Sequence, residues 1–430
     1  MNAAEHRQEH TRSYYAATAR NRTDYPELEG AVQADVCVIG AGFTGVASAL
    51  TLAERGYRVA VVEANRVGWG ASGRNGGQLI AGISSEHKLL RRYGAGFERE
   101  LWDLRWRGND IILGRIDHYA IDCDFKPGYL EVAPKASHLP GLREEFERLE
   151  RFAHPHGYRL LDREEVAEAT GTSAWQAGLL TQRNGHLHPL NLCLGEAQAA
   201  VGLGVQIYEQ SPVLRIEHGP RSRVHTDRGH VEADAVILAG NAYHHLEPKH
   251  LSGLVFPAGS YIIATEPLSE DLRREINPIN AAICDTYEIV DYYRYSAEGR
   301  MLYGGRCNYS GRDPASIRDA ILPRMLRLYP QLKGVRVDYE WGGKIGIVLN
   351  RIPALGRIHG NVYYVQGYSG HGLNASHIMG EIVADAIGGT LEKFDLFAQI
   401  PHFRIPGGQW FGSQLIAMGM LYYRLKDRLS

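Results

Sequence analysis

The pattern of apolar and polar residues predicts one well-defined unit near the start of the chain. Residues 35–39 form a short apolar, β-branched run, which is typical of a strand buried on both faces. The run 46–55 has the composition of a helix, Gly56 is placed to end it, and 58–62 is a second apolar run. The order strand–helix–strand predicts the crossover unit from which parallel sheets are built.

The remaining pattern predicts helices and strands in alternation. Apolar spacing typical of helices recurs over 84–121, 138–154, 163–169, 190–202, 316–328 and 373–387. Strand-like runs lie at 128–133, 204–209, 223–226, 229–232, 233–241 and 362–365, the third and fourth resembling a small hairpin. We expect a loop at 178–189. Alternation and aromatic residues over about 246–350 predict an antiparallel sheet.

Glycines follow the first predicted strand in the spacing Gly-x-Gly-x-x-Gly. Gly40 permits a tight turn, Gly42 lets the backbone approach a pyrophosphate, and Gly45 lets helix and strand pack closely. The helix N-terminus attracts phosphate, and Glu63, at the end of the second strand, is placed to accept hydrogen bonds from a ribose hydroxyl. The sequence therefore predicts dinucleotide binding, with FAD and NAD both open at this point.

A second glycine-rich stretch, Gly68 to Gln78, follows Glu63 closely. So many glycines and small polar residues do not suit a packed core element, and they fit backbone laid against a further part of a large cofactor. Residues 34–45 and 63–78 together resemble the D-amino-acid-oxidase-like family of FAD-dependent amine oxidoreductases, which includes glycine and sarcosine oxidases. The string 63–78 is most similar to the bacterial γ-glutamylputrescine oxidase branch of that family.

The resemblance implies an α/β fold: a Rossmann-like FAD-binding domain and a discontinuous α+β substrate domain with an antiparallel sheet. We expect the following division: 1–30 as an N-terminal extension, 31–120, 186–245 and 351–395 as the FAD-binding domain, 121–185 and 246–350 as the substrate domain, and 396–430 as a C-terminal apolar and basic helix.

The resemblance also implies which residues bind the cofactor. They are Gly40, Gly42, Phe43, Thr44, Gly45, Glu63, Ala64, Gly70, Ala71, Ser72, Asn75, Gly76, Gly77, Gln78, Val213, Ala239, Gly240, Asn241, Gly367, Gly370, His371, Gly372 and Leu373. The sarcosine-oxidase branch tethers FAD through a cysteine before the returning strand. Cys307 is the last cysteine of this sequence, so we expect non-covalent FAD.

The implied reaction is hydride transfer from an amine C–H to flavin N5, hydrolysis of the imine to aldehyde and ammonia, and reduction of O2 to H2O2. γ-Glutamylputrescine or a related polyamine is the expected substrate. The alternative is a dehydrogenase of the same fold that passes electrons to quinone. A pyridine-nucleotide-dependent flavin reductase would need a second complete glycine motif, and a non-catalytic FAD-binding protein is the rival from another class.

Several residues are candidates for the chemistry around the flavin. For the substrate pocket they are Tyr287, Tyr292, Trp341, Tyr368 and His371. Arg294, Arg306 and Arg351 either pair with a substrate carboxylate or are structural or surface arginines. Lys344 is a candidate for assisting oxygen reduction, and His371 is a second candidate catalytic residue. His186 and His188 either reach the cofactor or are polar loop histidines.

Composition excludes some functions. The 430 residues are 44% hydrophobic and 22% charged with a net charge of −2, which gives no electrostatic case for nucleic acid binding. The five cysteines are isolated, which favours reduced thiols in a cytoplasmic protein over a disulfide framework or a metal site.

The two ends of the sequence are less regular. Residues 1–21 are polar, and we expect loose order there unless Tyr14 and Tyr15 anchor them to the body. Neither a signal peptide nor a membrane span is expected. The apolar and basic tail 407–429 could contact a membrane surface or a partner subunit, or dock on its own protein.

Overall fold

The structure is a computed structural model that describes residues 7–152, 157–287, 289–308 and 313–405, with the side chains of 306 and 307 left out. Its strands are β1 (Gly30–Ile39), β2 (Val59–Val62), β3 (Gln78–Leu79), β4 (Lys126–Ala133), β5 (Tyr158–Leu161), β6 (Ala177–His186), β7 (Gln206–Tyr208), β8 (Arg215–Glu217), β9 (Ser222–His225), β10 (Gly229–Leu238), β11 (Phe256–Pro267), β12 (Ala282–Asp285), β13 (Tyr292–Tyr295), β14 (Arg300–Asn308), β15 (Val337–Ile347), β16 (Ala354–Ile358) and β17 (Val362–Gln366).

Helices connect these strands and cover them. They are α1 (Tyr14–Thr18), α2 (Phe43–Glu54), α3 (Glu86–Tyr93), α4 (Glu98–His118), α5 (Leu139–Arg151), α6 (Arg163–Thr170), α7 (Pro189–Gly202), α8 (Pro248–Leu251), α9 (Glu270–Ile276), α10 (Ile317–Leu328), α11 (Gly372–Ile387) and α12 (Glu392–Ala398). Within the part of the chain that the structure describes, no helix is long and apolar enough to cross a membrane.

The first sheet has the parallel core that the glycine motif predicts. Strands β17, β10, β1, β2 and β7 lie side by side in that order and are all parallel, and β16 adds an antiparallel edge. Helices α2, α7 and α11 pack on one another against this core. Because the strands are parallel, their carboxyl ends meet along one edge of the sheet, where such folds bind their ligands.

The second sheet runs in the order β15, β11, β14, β13, β12, β4, β6 and β3, with β5 beside β6. The expected antiparallel sheet is confirmed for most pairs, but β12 pairs with β4 in parallel, so the sheet is mixed. Helix α10 packs on β11, β14 and β15. It covers a layer of buried tyrosines in which Tyr293 stacks on Tyr303.

Two predictions of secondary structure were wrong. The segment 178–189 is not a loop, because β6 occupies most of it and pairs with β3, β4 and β5. Its glycines permit close contact between strands: a Cβ on Gly185 would lie 2.2 Å from the carbonyl oxygen of Lys126. The runs predicted at 229–232 and 233–241 are one continuous strand, β10, whose first half forms the predicted hairpin with β9.

The N-terminal segment is ordered where a loose arrangement was expected. Tyr14 and Tyr15, in α1, are buried, and the Tyr15 ring lies 5.2 Å from that of Trp341, centroid to centroid. These two tyrosines therefore anchor the segment, as the alternative expectation had it. The predicted C-terminal helix over 407–429 lies outside the described residues, and the domain boundaries stay predictions.

Candidate active site

A large cavity lies at the carboxyl ends of the parallel strands, between the two sheets. Its walls include Gly40 after β1, Glu63 after β2 and Ala239 after β10, and on the far side residues of β4, β12 and β13. The cavity volume is about 1670 Å³, which exceeds the roughly 300–1,000 Å³ of a typical small-ligand site. It has room for a dinucleotide and a second, smaller molecule.

The first glycine motif has the geometry that its spacing predicts. Gly40 has a φ of +104°, and a Cβ there would lie 3.1 Å from the carbonyl carbon of Ala239. A Cβ on Gly45 would lie 1.8 Å from the carbonyl oxygen of Gly40, so only glycine lets α2 pack on the turn. The Glu63 carboxylate accepts hydrogen bonds from the backbone N–H of Ala41 at 2.7 Å and of Asn65 at 2.9 Å.

Two glycine-rich stretches are joined at the start of α2. The backbone N–H of Phe43 donates to Ser72 Oγ at 2.9 Å, which ties the first motif to the stretch 68–78. Within that stretch, Asn75 donates to the carbonyl oxygens of Ala71 and Ser72. This network fixes the backbone of the stretch along the cavity wall.

The returning glycine turn, before α11, lies against the turn that follows β10. Asn241 Oδ1 accepts a hydrogen bond from the backbone N–H of Gly367 at 3.0 Å. His371 precedes the first turn of α11, as Gly42 precedes that of α2. Both positions are walls of the cavity, so two helix N-termini present their positive ends to it.

Most residues predicted to bind the cofactor line this one cavity. They are Gly40, Gly42, Phe43, Thr44, Glu63, Ala64, Gly70, Ala71, Ser72, Asn75, Gly76, Gln78, Val213, Ala239, Gly240, Asn241, Gly370, His371, Gly372 and Leu373. Three predicted residues are not among its walls: Gly45, Gly77 and Gly367. Gly77 has a φ of +67°, and a Cβ there would collide with the carbonyl oxygen of Leu187. Gly367 has a φ of +81°, and a Cβ there would collide with the side chain of Val348.

Among the substrate candidates, Tyr287, Tyr292, Tyr368 and Arg351 also line the cavity. Tyr292 lies next to the glycine-rich stretch, since a Cβ on Gly76 would be 2.5 Å from its ring. Arg351 has a left-handed φ of +65°. Within the described residues, its guanidinium group has no hydrogen-bond or ion-pair partner, so it is available to a ligand carboxylate.

Two other candidates are structural. Trp341 is buried and donates from Nε1 to the carbonyl oxygen of Arg74 at 3.0 Å. Arg294 is buried and donates to the carbonyl oxygens of Gly76 and Leu187, each at 2.7 Å. The prediction of a pocket role was therefore wrong for Trp341, and Arg294 has the structural role that was its alternative: both side chains support the glycine-rich stretch from behind.

The structure also places Lys344 away from the cavity. Its neighbours in β15, Gly343 and Ile345, are walls, and successive side chains of a strand point to opposite faces, so the exposed Lys344 side chain points outward. This arrangement argues against an oxygen-activating role. The side chain of Arg306 lies outside the described residues.

Neither His186 nor His188 is a wall of the cavity, and only His188 lies in a loop, the short connection between β6 and α7. His186 lies in β6 and contacts the carbonyl oxygen of Asn280 through Nε2 at 3.0 Å. His188 caps α7 by accepting from the backbone N–H of Asn191 through Nδ1. Burial lowers the pKa of each histidine to about 3, so both are neutral structural groups.

Sequence reasoning missed two acids on the far wall, Glu131 in β4 and Asp285 at the end of β12. Burial, followed by the charge of Asp291, raises the pKa of Asp285 to about 8. Burial, followed by the charge of Glu145, raises the pKa of Glu131 to about 7. The sequence signal for Glu131 was an isolated acidic residue in an apolar strand. It lies two positions after the cavity residue Tyr129, so both side chains point to the same face of the strand.

A group of paired charges was also missed. Arg105 and Arg148 lie against Glu86 and Glu145 in the cavity wall formed by α3, α4 and α5. Nearby, burial lowers the pKa of His371, whose buried Nε2 has no hydrogen-bond partner within the described part of the chain. His371 is therefore a neutral imidazole that can bond to a ligand.

The donor set fits FAD: glycine turns for a pyrophosphate, a carboxylate at the end of β2 for a ribose, and a second glycine-rich wall. The chain belongs to the family "FAD dependent oxidoreductase" (DAO), whose model matches residues 35–386. It is 43% identical to "Gamma-glutamylputrescine oxidoreductase" of Escherichia coli (strain K12), over 98% of this chain and 99% of that protein. It is 39% identical to "Probable oxidoreductase OrdL" of Haemophilus influenzae, over 98% of both chains.

Solved structures show the same fold at lower identity. Glycine oxidase from Geobacillus kaustophilus matches with a TM-score of 0.72 and 19% identity, over 86% of this chain and all of that one. L-α-Glycerophosphate oxidase from Mycoplasma pneumoniae, solved with FAD bound, matches with a TM-score of 0.64 and 17% identity, over 88% and 98%. The predicted family, fold class, FAD cofactor and class of enzyme, an FAD-dependent amine oxidoreductase, are confirmed.

Proposed function

We propose that this protein oxidises γ-glutamylputrescine at the terminal amine of its putrescine part and passes the electrons to O2. With water, the products are an aldehyde, ammonia and H2O2. The observation that carries this proposal is the Arg351 guanidinium, which has no hydrogen-bond or ion-pair partner among the described residues and lies in a cavity whose far wall holds Glu131 and Asp285. A substrate with a carboxylate at one end and an amine at the other matches such a wall. The E. coli relative is named for this compound.

When bound, FAD supplies the hydride acceptor. Residues after β1, β2 and β10, with those before α11, would hold it. Arg351 binds the substrate carboxylate, and a guanidinium–carboxylate pair fixes orientation because it is bidentate. Tyr287 and Tyr292 provide aromatic walls for the alkyl chain. These contacts place the amine end of the substrate by fixing its other end.

Asp285 is suited to taking the proton that the substrate ammonium must lose before oxidation. Its Oδ1 accepts from the backbone N–H of Tyr287 at 3.1 Å, and the residue is a wall of the cavity. With a pKa of about 8, a fraction of the carboxyl groups is ionised near neutral pH, and this fraction can accept the proton of the substrate.

The test is a comparison of γ-glutamylputrescine, putrescine and spermidine by peroxide formation. We expect γ-glutamylputrescine to have the highest kcat/KM, and Arg351→Met to lower it about 30-fold while putrescine is unaffected, from a lost charged pair worth about 2 kcal/mol. Arg143→Met, at an exposed position of α5, is the control. Equal loss on both substrates, or a preference for putrescine in the wild type, would contradict the proposal.

The electron acceptor is a separate part of the proposal. Oxygen uptake matched by an equal amount of peroxide supports the oxidase. Turnover with a quinone or dye but not with O2 would instead favour the dehydrogenase alternative. Acid precipitation that releases free FAD would support non-covalent binding, and yellow colour kept on the precipitate would contradict it.

We also propose a cytoplasmic location. Its support is the state of the cysteines: Cys37, Cys123, Cys193 and Cys284 are free thiols, the first three buried. Such thiols suit a reducing compartment. Fractionation of cells that make the full chain tests this, and recovery of the protein outside the cytoplasm would contradict it.

A further inference from the structure

Three histidines converge on one carboxylate at the protein surface. His218 Nε2 lies 2.9 Å from Glu247 Oε1, and His359 Nε2 lies 3.3 Å from Glu247 Oε2. His250 Nδ1 lies 3.7 Å from the same Oε2. The family's reaction does not use this cluster, because none of the four residues is a wall of the cavity.

The spacing of the nitrogen and oxygen atoms is that of a metal site. One ligand atom from each of His218, Glu247 and His359 lies within 4.8 Å of the other two. Ligands of a tetrahedral zinc ion, at bond lengths of about 2.1 Å, are about 3.4 Å apart. The observed separations of 2.9 and 3.3 Å need only small side-chain movements to admit an ion between them.

The chain brings these residues together from distant positions. His218 follows β8, Glu247 caps α8, and His359 lies in the turn between β16 and β17. Glu247 and His359 both have left-handed backbone conformations, with φ of 52° and 50°. Such conformations are unfavourable for residues other than glycine, and they persist where the surroundings hold them, often at ligand sites.

The partial burial of the cluster suits binding from solvent. The Glu247 side chain is 12% exposed, and those of His218 and His359 are 28% and 35% exposed. The two imidazole rings stack, with centroids 3.9 Å apart, so their orientation is already restricted. An ion from solvent can reach ring nitrogens that point toward one carboxylate, and the loss of side-chain freedom on binding is small.

We propose that His218, Glu247 and His359 bind one divalent transition-metal ion of the zinc class. Two imidazoles and one carboxylate form a donor set that zinc accepts, with water in the remaining position. Binding requires each Nε2–H of His218 and His359 to move its proton to Nδ1, which frees the lone pair that faces the ion. The site does not depend on which amine the enzyme oxidises.

The ion would join three loops beside the cofactor cavity. Leu246, the residue before Glu247, is a wall of that cavity, and His244 contacts Gln366 of β17 through Nε2 at 3.1 Å. Metal binding at Glu247 therefore restrains the segment that follows β10. We expect higher thermal stability of the holoenzyme and slower release of FAD when the ion is bound.

The experiment is a titration of chelator-treated holoenzyme with Zn²⁺, followed by calorimetry and thermal unfolding. We expect one ion per chain and a rise in Tm for the wild type, and affinity about 100-fold weaker in His218→Ala/His359→Ala. His225→Ala is the matched control, because His225 also bonds to a single glutamate, Glu217, on the same sheet. It should bind zinc like the wild type.

Glu247→Gln keeps the size and shape of the side chain, and it decides the matter if the double variant does not fold. We expect this variant to bind zinc about tenfold to 100-fold more weakly and to lose the rise in Tm. No stoichiometric binding by the wild type, or unchanged affinity in both variants, would show that the cluster is only a hydrogen-bonded group of histidines and would overturn the proposal.

Discussion

The hydroxyl oxygens of Thr44 and Tyr368 lie 2.6 Å apart, although 324 positions separate the two residues in the sequence. This buried hydrogen bond joins the first turn of α2 to the glycine turn before α11. Both residues are cavity walls. The contact therefore fixes the two helix N-termini relative to each other, and with them the two backbone surfaces that face the cofactor.

Replacing Tyr368 with Phe should weaken both stability and FAD affinity. The change leaves the Thr44 hydroxyl without its partner, which costs about 1–3 kcal/mol in the free energy of unfolding. Urea denaturation and fluorescence titration of the apoprotein with FAD measure the two effects. Thr44→Val in the Tyr368→Phe background should restore part of the loss, since no buried hydroxyl is then left unpaired. Additive losses would contradict the pairing.

Asp285 predicts a pH dependence of stability. Its carboxyl group has a pKa of about 8 in the folded protein, above the ordinary 3.8, so folding takes up a proton between these values. The free energy of unfolding should therefore fall as pH rises toward 8, by at most about 1.4 kcal/mol per pH unit from this group. The groups facing it are Asp291 and, with opposite effect, Arg324.

Asp285→Asn removes the titrating group and keeps the shape of the side chain. Between pH 5 and 8, the free energy of unfolding obtained from denaturation curves should depend less on pH in this variant than in the wild type. Glu131 contributes in the same direction up to about pH 7, so some slope remains. Identical slopes in the two proteins would show that Asp285 is ionised throughout this range.

Arg294 should be needed for the cofactor site without touching the substrate. Arg294→Lys keeps the charge but cannot reproduce the hydrogen bonds to Gly76, Leu187 and Tyr295. We expect a loss of about 2 kcal/mol or more in stability and weaker FAD binding. Excess FAD should then restore kcat without a change in KM. A raised KM under saturating FAD would instead point to a substrate role.

Lys344→Met should leave oxygen reactivity unchanged. The side chain is exposed and lies on the face of β15 opposite the cavity walls Gly343 and Ile345. Stopped-flow measurements of anaerobic reduction and of reoxidation by O2 should give wild-type rates in this variant. Slower reoxidation alone would mean that the lysine reaches the cavity in the loaded enzyme.

Local patterns were enough to predict the elements of the first sheet that line the cavity. The order β1, glycine turn, α2 and β2 is encoded in consecutive residues, and so are the turns after β10 and before α11. In contrast, β6 was missed because its glycine and polar residues make sense only beside β3, β4 and β5. Pairing over such distances leaves no periodic signal in the segment itself.

The substrate side was harder to predict because it depends on which face of a strand points to the cavity. Trp341 and Tyr292 are both aromatic residues of strands, yet one supports the glycine-rich stretch and the other lines the cavity. Glu131 and Lys344 show the same difficulty with charged residues. A shift by one position moves a side chain to the other face, and the sequence does not mark the cavity face.

The packing of α11 on α2 has a consequence for how the cell makes this enzyme. The ribosome completes β1, α2 and β2 early, while β17 and α11 emerge only after the whole second sheet has been translated. Until then the nascent chain lacks the wall of the cavity that precedes α11, and the Thr44 hydroxyl has not yet met that of Tyr368. Capture of the flavin is therefore a late event of biogenesis, and a chain arrested before α11 should leave the ribosome colourless.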